Sequence, residues 1–206
     1  MADDWFRHTT WSEAIEASFL DRLSRSRSQR DQQLAIQIIT LAEHLPSVAL
    51  RLSELYFQTR KGSFDDARVW ASLASASLSL EDVSAAMQAF RAALAAERQS
   101  HDIKTNTFAE YPYQVAVRGI TSEYGQALQT LRDSSGHLAF PVLRFKWNAA
   151  FALITAAQGN LVTARAHATA ALSSAEETES GFQYHQELGL VTKNFRGVVE
   201  KLRALA

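Results

Sequence analysis

Metal binding and proton transfer near neutral pH draw first on histidine, and this chain has six: His8, His44, His101, His137, His167 and His185. Glu97 and His101 are spaced i, i+4, so a helix would place them on one face. Two ligands do not make a metal site, and a histidine near a helix C-terminus is already favoured by the dipole. Tyr184-His185 lies between Gly181 and Gly189, the composition of a packed loop or a small loop site. No glutamate has a histidine three residues on, and H-E-x-x-H, G-x-S-x-G, S-x-x-K, G-x-G-x-x-G and the Walker glycine pattern are all missing. Without a cysteine there is no thiolate nucleophile, no disulfide and no Cys-ligated zinc. The residues therefore predict no catalytic set, no metal and no cofactor.

Charge points the same way. Twenty-one basic and 22 acidic side chains give a formal net charge of −1, which offers no global attraction for nucleic acid or an anionic membrane. The one local basic cluster is Arg22-Leu23-Ser24-Arg25-Ser26-Arg27-Ser28-Gln29-Arg30. It falls at a predicted helix end, where cations are favourable, and lacks the interleaved aromatics of a nucleic-acid surface. Tyr111-Pro112-Tyr113 and the opening Trp5, Phe6 and Trp11 are the aromatics that could serve an interface. The acidic start and the absence of any apolar run approaching a membrane span predict a cytoplasmic protein with no membrane partner.

The elements that would position these residues are helices. Alanine (34) and leucine (23) supply 57 of 206 residues against 8 glycines and 3 prolines. Apolar stripes recur at helical spacing, as in Val83, Ala86, Phe90, Ala93 and Leu94, in Leu143, Trp147, Phe151 and Ile154, and in Val191, Phe195, Val198 and Leu202. Thr10 with Glu13 and Ser63 with Asp66 read as capping pairs, and Pro46 and Pro141 as first-turn residues. The chain is expected to be all-α, with helices over 11–26, 31–45, 47–61, 64–79, 82–99, 108–119, 121–133, 141–157, 160–178 and 190–205. Short links such as Lys61-Gly62, Leu80-Glu81, Gly159-Asn160 and Ser134-Ser135-Gly136-His137 predict antiparallel hairpins, with residues 1–206 forming one continuous domain.

Spacing inside the hairpins repeats. Over 67–100, Trp70-x2-Leu73-Ala74 is followed by Ala86-x3-Phe90-x2-Ala93-Leu94. A weaker copy over 145–178 has Phe151-Ala152, Gly159, Ala164 and Ala171-Leu172, with Ala168 where Phe90 stood, so that Trp147 or a neighbour must fill the hole. Val48, Ala86, Ala127 and Ala164 then follow one another at 38, 41 and 37 residues. Alanine at these places lets helix backbones approach closely, while Trp70, Leu73 and Phe90 fill the space between hairpins.

This pattern resembles the tetratricopeptide repeat, from which it departs at Ser77, where an aromatic is usual, and at Arg98, where the stopping proline would fall. The resemblance implies a right-handed stack of antiparallel hairpins, about ten helices with capping helices at the ends, the last covering the stack with one polar face. It also implies a non-enzymatic scaffold that holds a peptide or partner helix in a concave groove. On the matching positions that groove is lined by Arg68, Ala71, Ser75 and Leu78 and by Lys146, Ala149, Leu153 and Ala156, with Tyr113 nearby. Ala71, Ser75, Ala149 and Leu153 stand where members that grip a carboxylate carry Lys and Asn, so an amphipathic helix with some acidic groups suits the groove better. Charge reversal at Arg68 and Lys146 is expected to weaken capture and leave the fold intact. Two other readings remain: self-association through Trp5, Phe6 and Trp11, giving a homodimer, and a small-ligand or catalytic cup near Tyr113, Arg118, Arg144 and His185.

Overall fold

The computed structural model describes residues 4–100, 103–134, 138–182 and 184–206. These residues are all-α: α1 (Glu13–Arg25), α2 (Arg30–Leu41), α3 (Pro46–Thr59), α4 (Asp66–Ser79), α5 (Val83–Gln99), α6 (Thr107–Arg118), α7 (Tyr124–Asp133), α8 (Pro141–Ala157), α9 (Leu161–Ala175) and α10 (Arg196–Arg203). Short 3₁₀ turns at Thr121–Glu123 and Lys193–Phe195 lead into α7 and α10. Pro46 and Pro141 occupy first-turn positions, where a missing N–H removes no helical bond. Pro112 lies inside α6, which continues through it to Arg118 although the ring has no N–H to give to the carbonyl of Phe108.

Two expected caps are replaced. Ser12, not Thr10, caps α1, its hydroxyl accepting the N–H of Ile15 at 3.3 Å. At α4 the Ser63–Asp66 pair does not form, because Asp66 has a stronger partner. Its carboxylate takes two N–H bonds from Arg60, at 2.7 and 3.0 Å, and the hydroxyl of Tyr56 at 3.1 Å. Of the links, Ser135, Gly136 and His137 lie outside the described residues.

By its contacts the chain divides into two compact units, Met1–Thr107 and Phe108–Ala206. In the first, α2 packs on α3, α4 packs on both α3 and α2, and α4 with α5 forms the most extensive helix pair of the unit. Its core includes Phe19, Leu34, Ile38, Leu52, Tyr56 and Val69. Trp5 and Trp11 each lie 5.5 Å from the ring of Phe19, and Phe6 stands edge-on to Trp5. The side-chain amide of Gln37 holds this opening segment by bonding both backbone groups of His8, at 2.9 and 2.8 Å. The N-terminal aromatics are thus packed, partly buried, against their own unit. Trp70 is also only partly buried, stacked at 4.2 Å on Phe57 of α3.

Three helix ends share one geometry. Glu81, Gly119 and Gly159 have φ of +61°, +66° and +82° and stand 38 and 40 residues apart. In each case the next N–H reaches back five residues: Asp82 to Ser77 at 2.9 Å, Ile120 to Val115 at 3.0 Å and Asn160 to Thr155 at 2.9 Å. Asp82 and Asn160 then cap the following helices, accepting the N–H groups of Ala85 and Thr163. Ala86 and Ala164 each fall five residues beyond the left-handed residue and are buried. After Gly119 the 3₁₀ turn at Thr121–Glu123 intervenes, so the matching alanine comes later, at Ala127.

The hairpins α4–α5 and α8–α9 therefore correspond at an offset of 78 residues. Ala74, Ala86 and Ala93 match Ala152, Ala164 and Ala171, all at most 1% exposed. Ala168 lies in a cluster with Phe145, while Trp147 stands against Phe151 and His167. Phe145 stands where the first hairpin has Ala67 and shares a core cluster with Ala168, so the large and small residues have exchanged helices.

This geometry sets a stability test at one backbone angle. Glu81→Gly removes a side chain from a left-handed residue and should raise the stability measured by urea unfolding by about 0.5 to 1 kcal/mol. Gly159→Ala should lower it by about 1 to 2 kcal/mol. A loss of stability in Glu81→Gly, or none in Gly159→Ala, would contradict the shared turn.

Candidate functional site

The residues expected to line a groove fall in two sets, one per unit, with different surroundings. On α4, Arg68, Ala71, Ser75 and Leu78 recur at helical spacing and share a face, each with some exposure. Arg68 is not a free edge charge: its guanidinium bonds Asp65 at 3.0 Å, and that carboxylate is only 6% exposed. The same guanidinium lies 6.0 Å from the ring of Phe64, which is 55% exposed. Reversing Arg68 would strand a buried carboxylate as well as alter the surface.

On α8 the matching face is more enclosed at two of its four positions, Lys146 and Ala149, while Leu153 and Ala156 stay partly exposed. Ala149 is fully buried, Tyr113 is buried, and Leu153 is partly so. All three belong to one cluster with Phe145, Ala152, Ala168 and Ala171, onto which α10 sets Leu202, with Phe195, Val198 and Val199 packed around it. Lys146 is enclosed too. Its ammonium pairs with Glu110 and lies 5.6 and 5.5 Å from the rings of Tyr113 and Phe195. Burial, and secondarily the charge of Glu110, pushes the Tyr113 hydroxyl up to about 12. The second unit thus sets its own last helix against part of the expected groove, and a charge reversal at Lys146 would act on the core.

The cup residues are engaged separately. Arg118 donates to Gln114 at 3.1 Å along its own helix. Arg144 donates to the carbonyls of Leu138 and Ala139 and pairs with Glu177. His185 sits in the exposed loop after α9, its carbonyl accepting the hydroxyl of Ser180. Tyr111 is fully buried, with its hydroxyl donated to Glu123 at 2.6 Å, and Pro112 beside it is buried. Glu97 is a buried carboxylate bonded to the N–H and hydroxyl of Thr105, and His101, its expected companion, lies outside the described residues. In the basic segment Arg25 pairs with Asp21 and Arg30 with Asp31, while Arg30 also reaches Thr59. Among the described residues no group of three or more His, Asp or Glu converges as a metal would require. No helix there is long and apolar enough to cross a membrane.

One cluster has no counterpart in the sequence expectations. The His167 ring stacks on Phe151 at 4.5 Å, stands edge-on to Trp147 at 5.5 Å, and its Nδ1 lies 2.8 Å from the side-chain oxygen of Asn148. Asn148 in turn donates to the carbonyl of Arg144. The indole N–H of Trp147 goes to the carbonyl of Leu131 at 2.9 Å. Only the antiparallel pairing of α8 and α9 brings residues 148 and 167 together, so no local spacing announces them.

In comparisons with known proteins, no family model, curated protein or solved structure matches this chain.

Burial lowers the pKa of His167 below its ordinary value of about 6.5. The unfolded chain then binds the proton more readily, so the contribution is complete above that ordinary value and is lost as pH falls through the folded one. Stability measured by denaturant unfolding should fall on acidification from about pH 7.5 to 5, and His167→Gln should flatten that dependence. An unchanged pH profile in the variant would remove His167 as its source.

Proposed function

We propose that this protein is a non-enzymatic, tetratricopeptide-like interaction scaffold of the cytoplasm whose α4 face receives an amphipathic helix of a protein partner. The observation that carries this reading is the contrast between two corresponding positions. Ala149 is fully buried where α10 joins its cluster, whereas Ala71, its counterpart on α4, keeps part of its surface; Ser75 and Leu78 are partly exposed, as are their counterparts Leu153 and Ala156. The second unit thus supplies an example of an occupant: a helix with Phe195, Val198 and Leu202 on its apolar side and cations elsewhere. The recurring left-handed residues, the alanines at equivalent places and the packing of α4 on both α2 and α3 support the repeat reading.

Because Arg68 compensates Asp65, Ser75 and Leu78 are the cleaner positions to test. A photo-crosslinking amino acid at Ser75, in the native cell, should give adducts with one dominant protein through residues on a single helix face. Ser75→Lys with Leu78→Lys should reduce that capture about tenfold with an unchanged melting midpoint. Adducts no stronger than those from Gln88, an exposed position on α5, would overturn the assignment.

A further inference from the structure

Beside its core-packed residues the last helix carries exposed cations, and Val199, packed against the core, keeps part of its surface. Phe195, Val198 and Leu202 serve the second unit's core, but Arg196, Val199 and Arg203, at i, i+3 and i+7, line one wall of a cleft of about 460 Å³. Leu172 and Ala175, in the last turn of α9, form the facing wall, and Val191 adds to its apolar lining. Lys193 stands beside Arg196 at the mouth. All three cations are exposed; Arg196 bonds Glu200 at 3.1 Å, and Glu176 is the cleft's only acidic lining residue. The helix dipole accounts for Arg203, which lies in the last turn of α10, but not for Lys193 and Arg196 at the other end.

From this arrangement we infer that the cleft between α9 and α10 binds an aliphatic monocarboxylate of the fatty-acid class, with the carboxylate between Lys193 and Arg196 and the tail along Leu172, Ala175 and Val199. Three cations against Glu176 in the lining and Glu200 beside Arg196 leave an excess of positive charge for an anion, and a guanidinium matches a carboxylate's two oxygens. Apolar walls in a cleft of this volume suit a small ligand whose remainder is hydrocarbon. The stripe from Arg196 to Arg203 covers only about 10 Å of helix, shorter than an ordinary three-turn helix, so a partner helix would fit it poorly.

Decanoate, kept below micelle formation and titrated into the full-length chain with amide chemical shifts as the readout, should bind saturably at one site and shift residues of α9 and α10. Lys193→Gln with Arg196→Gln, both at exposed positions, should weaken it about tenfold without moving the melting midpoint. Ala175→Leu shortens the tail space and should move the preference from decanoate to octanoate. Absence of saturation, equal binding of decylammonium, or indifference to the charge variants would overturn the assignment. Binding of an acidic helical peptide at these residues in place of decanoate would overturn it as well.

Discussion

Two helices can cross at short range only where both present side chains no larger than a methyl group at the crossing. Ala74, Ala86 and Ala93 in one hairpin and Ala152, Ala164 and Ala171 in the other meet that condition at near-complete burial. Close, antiparallel helices leave little room for a connection, which is why a single left-handed residue followed by a capping Asp82 or Asn160 joins them. The bulk excluded from the crossings is placed beside them, as Phe90 in one unit and Phe145 in the other. Volume is conserved while its source moves between helices, a kind of exchange that cores tolerate.

Charge is spent largely inside the units. Arg60 gives Asp66 two bonds, Tyr56 a third, and Arg68 compensates Asp65 one position earlier. These bonds tie the end of α3 to the start of α4. Burial, followed by the charge of Asp66, drives the Tyr56 hydroxyl well above its ordinary range. Lys146 with Glu110 plays a similar part in the second unit, its ammonium covered by two aromatic rings. These pairs are partly buried, and removing one partner would leave the other's charge uncompensated. Lys193, Arg196 and Arg203, by contrast, are exposed and line one cleft, with Arg196 paired to Glu200.

The helices themselves were legible because apolar periodicity and proline placement are local properties. Ten segments and the positions of Ala74, Ala86, Ala93, Ala152, Ala164 and Ala171 follow from them. What covers a helix face is not local. Residues Lys146, Ala149 and Leu153 have the spacing of an open face, and nothing within α8 says that a helix some 50 residues later packs with them. A related limit hid the partner of Asp66, where Arg60 across the turn outcompeted the local capping pattern; Asp65, the partner of Arg68, lies only three residues before it. The pairing of His167 with Asn148 depends on hairpin register in the same way. Arg196, Val199 and Arg203 drew no reading as a site from the sequence, because only the last turn of α9 makes them part of a cleft.

Closure of the second unit by α10 is the claim on which both binding proposals lean, and Leu202 is its centre, the fully buried residue of a helix that also packs Val198 and Val199. Leu202→Ala, followed by hydrogen exchange of the full-length chain, tests it most directly. The expected result is a loss of about 2 to 5 kcal/mol in stability, with exchange accelerated in α8 and α9 around Ala149, Ala152 and Ala168. Unchanged stability together with unchanged protection of α8 and α9 would contradict it.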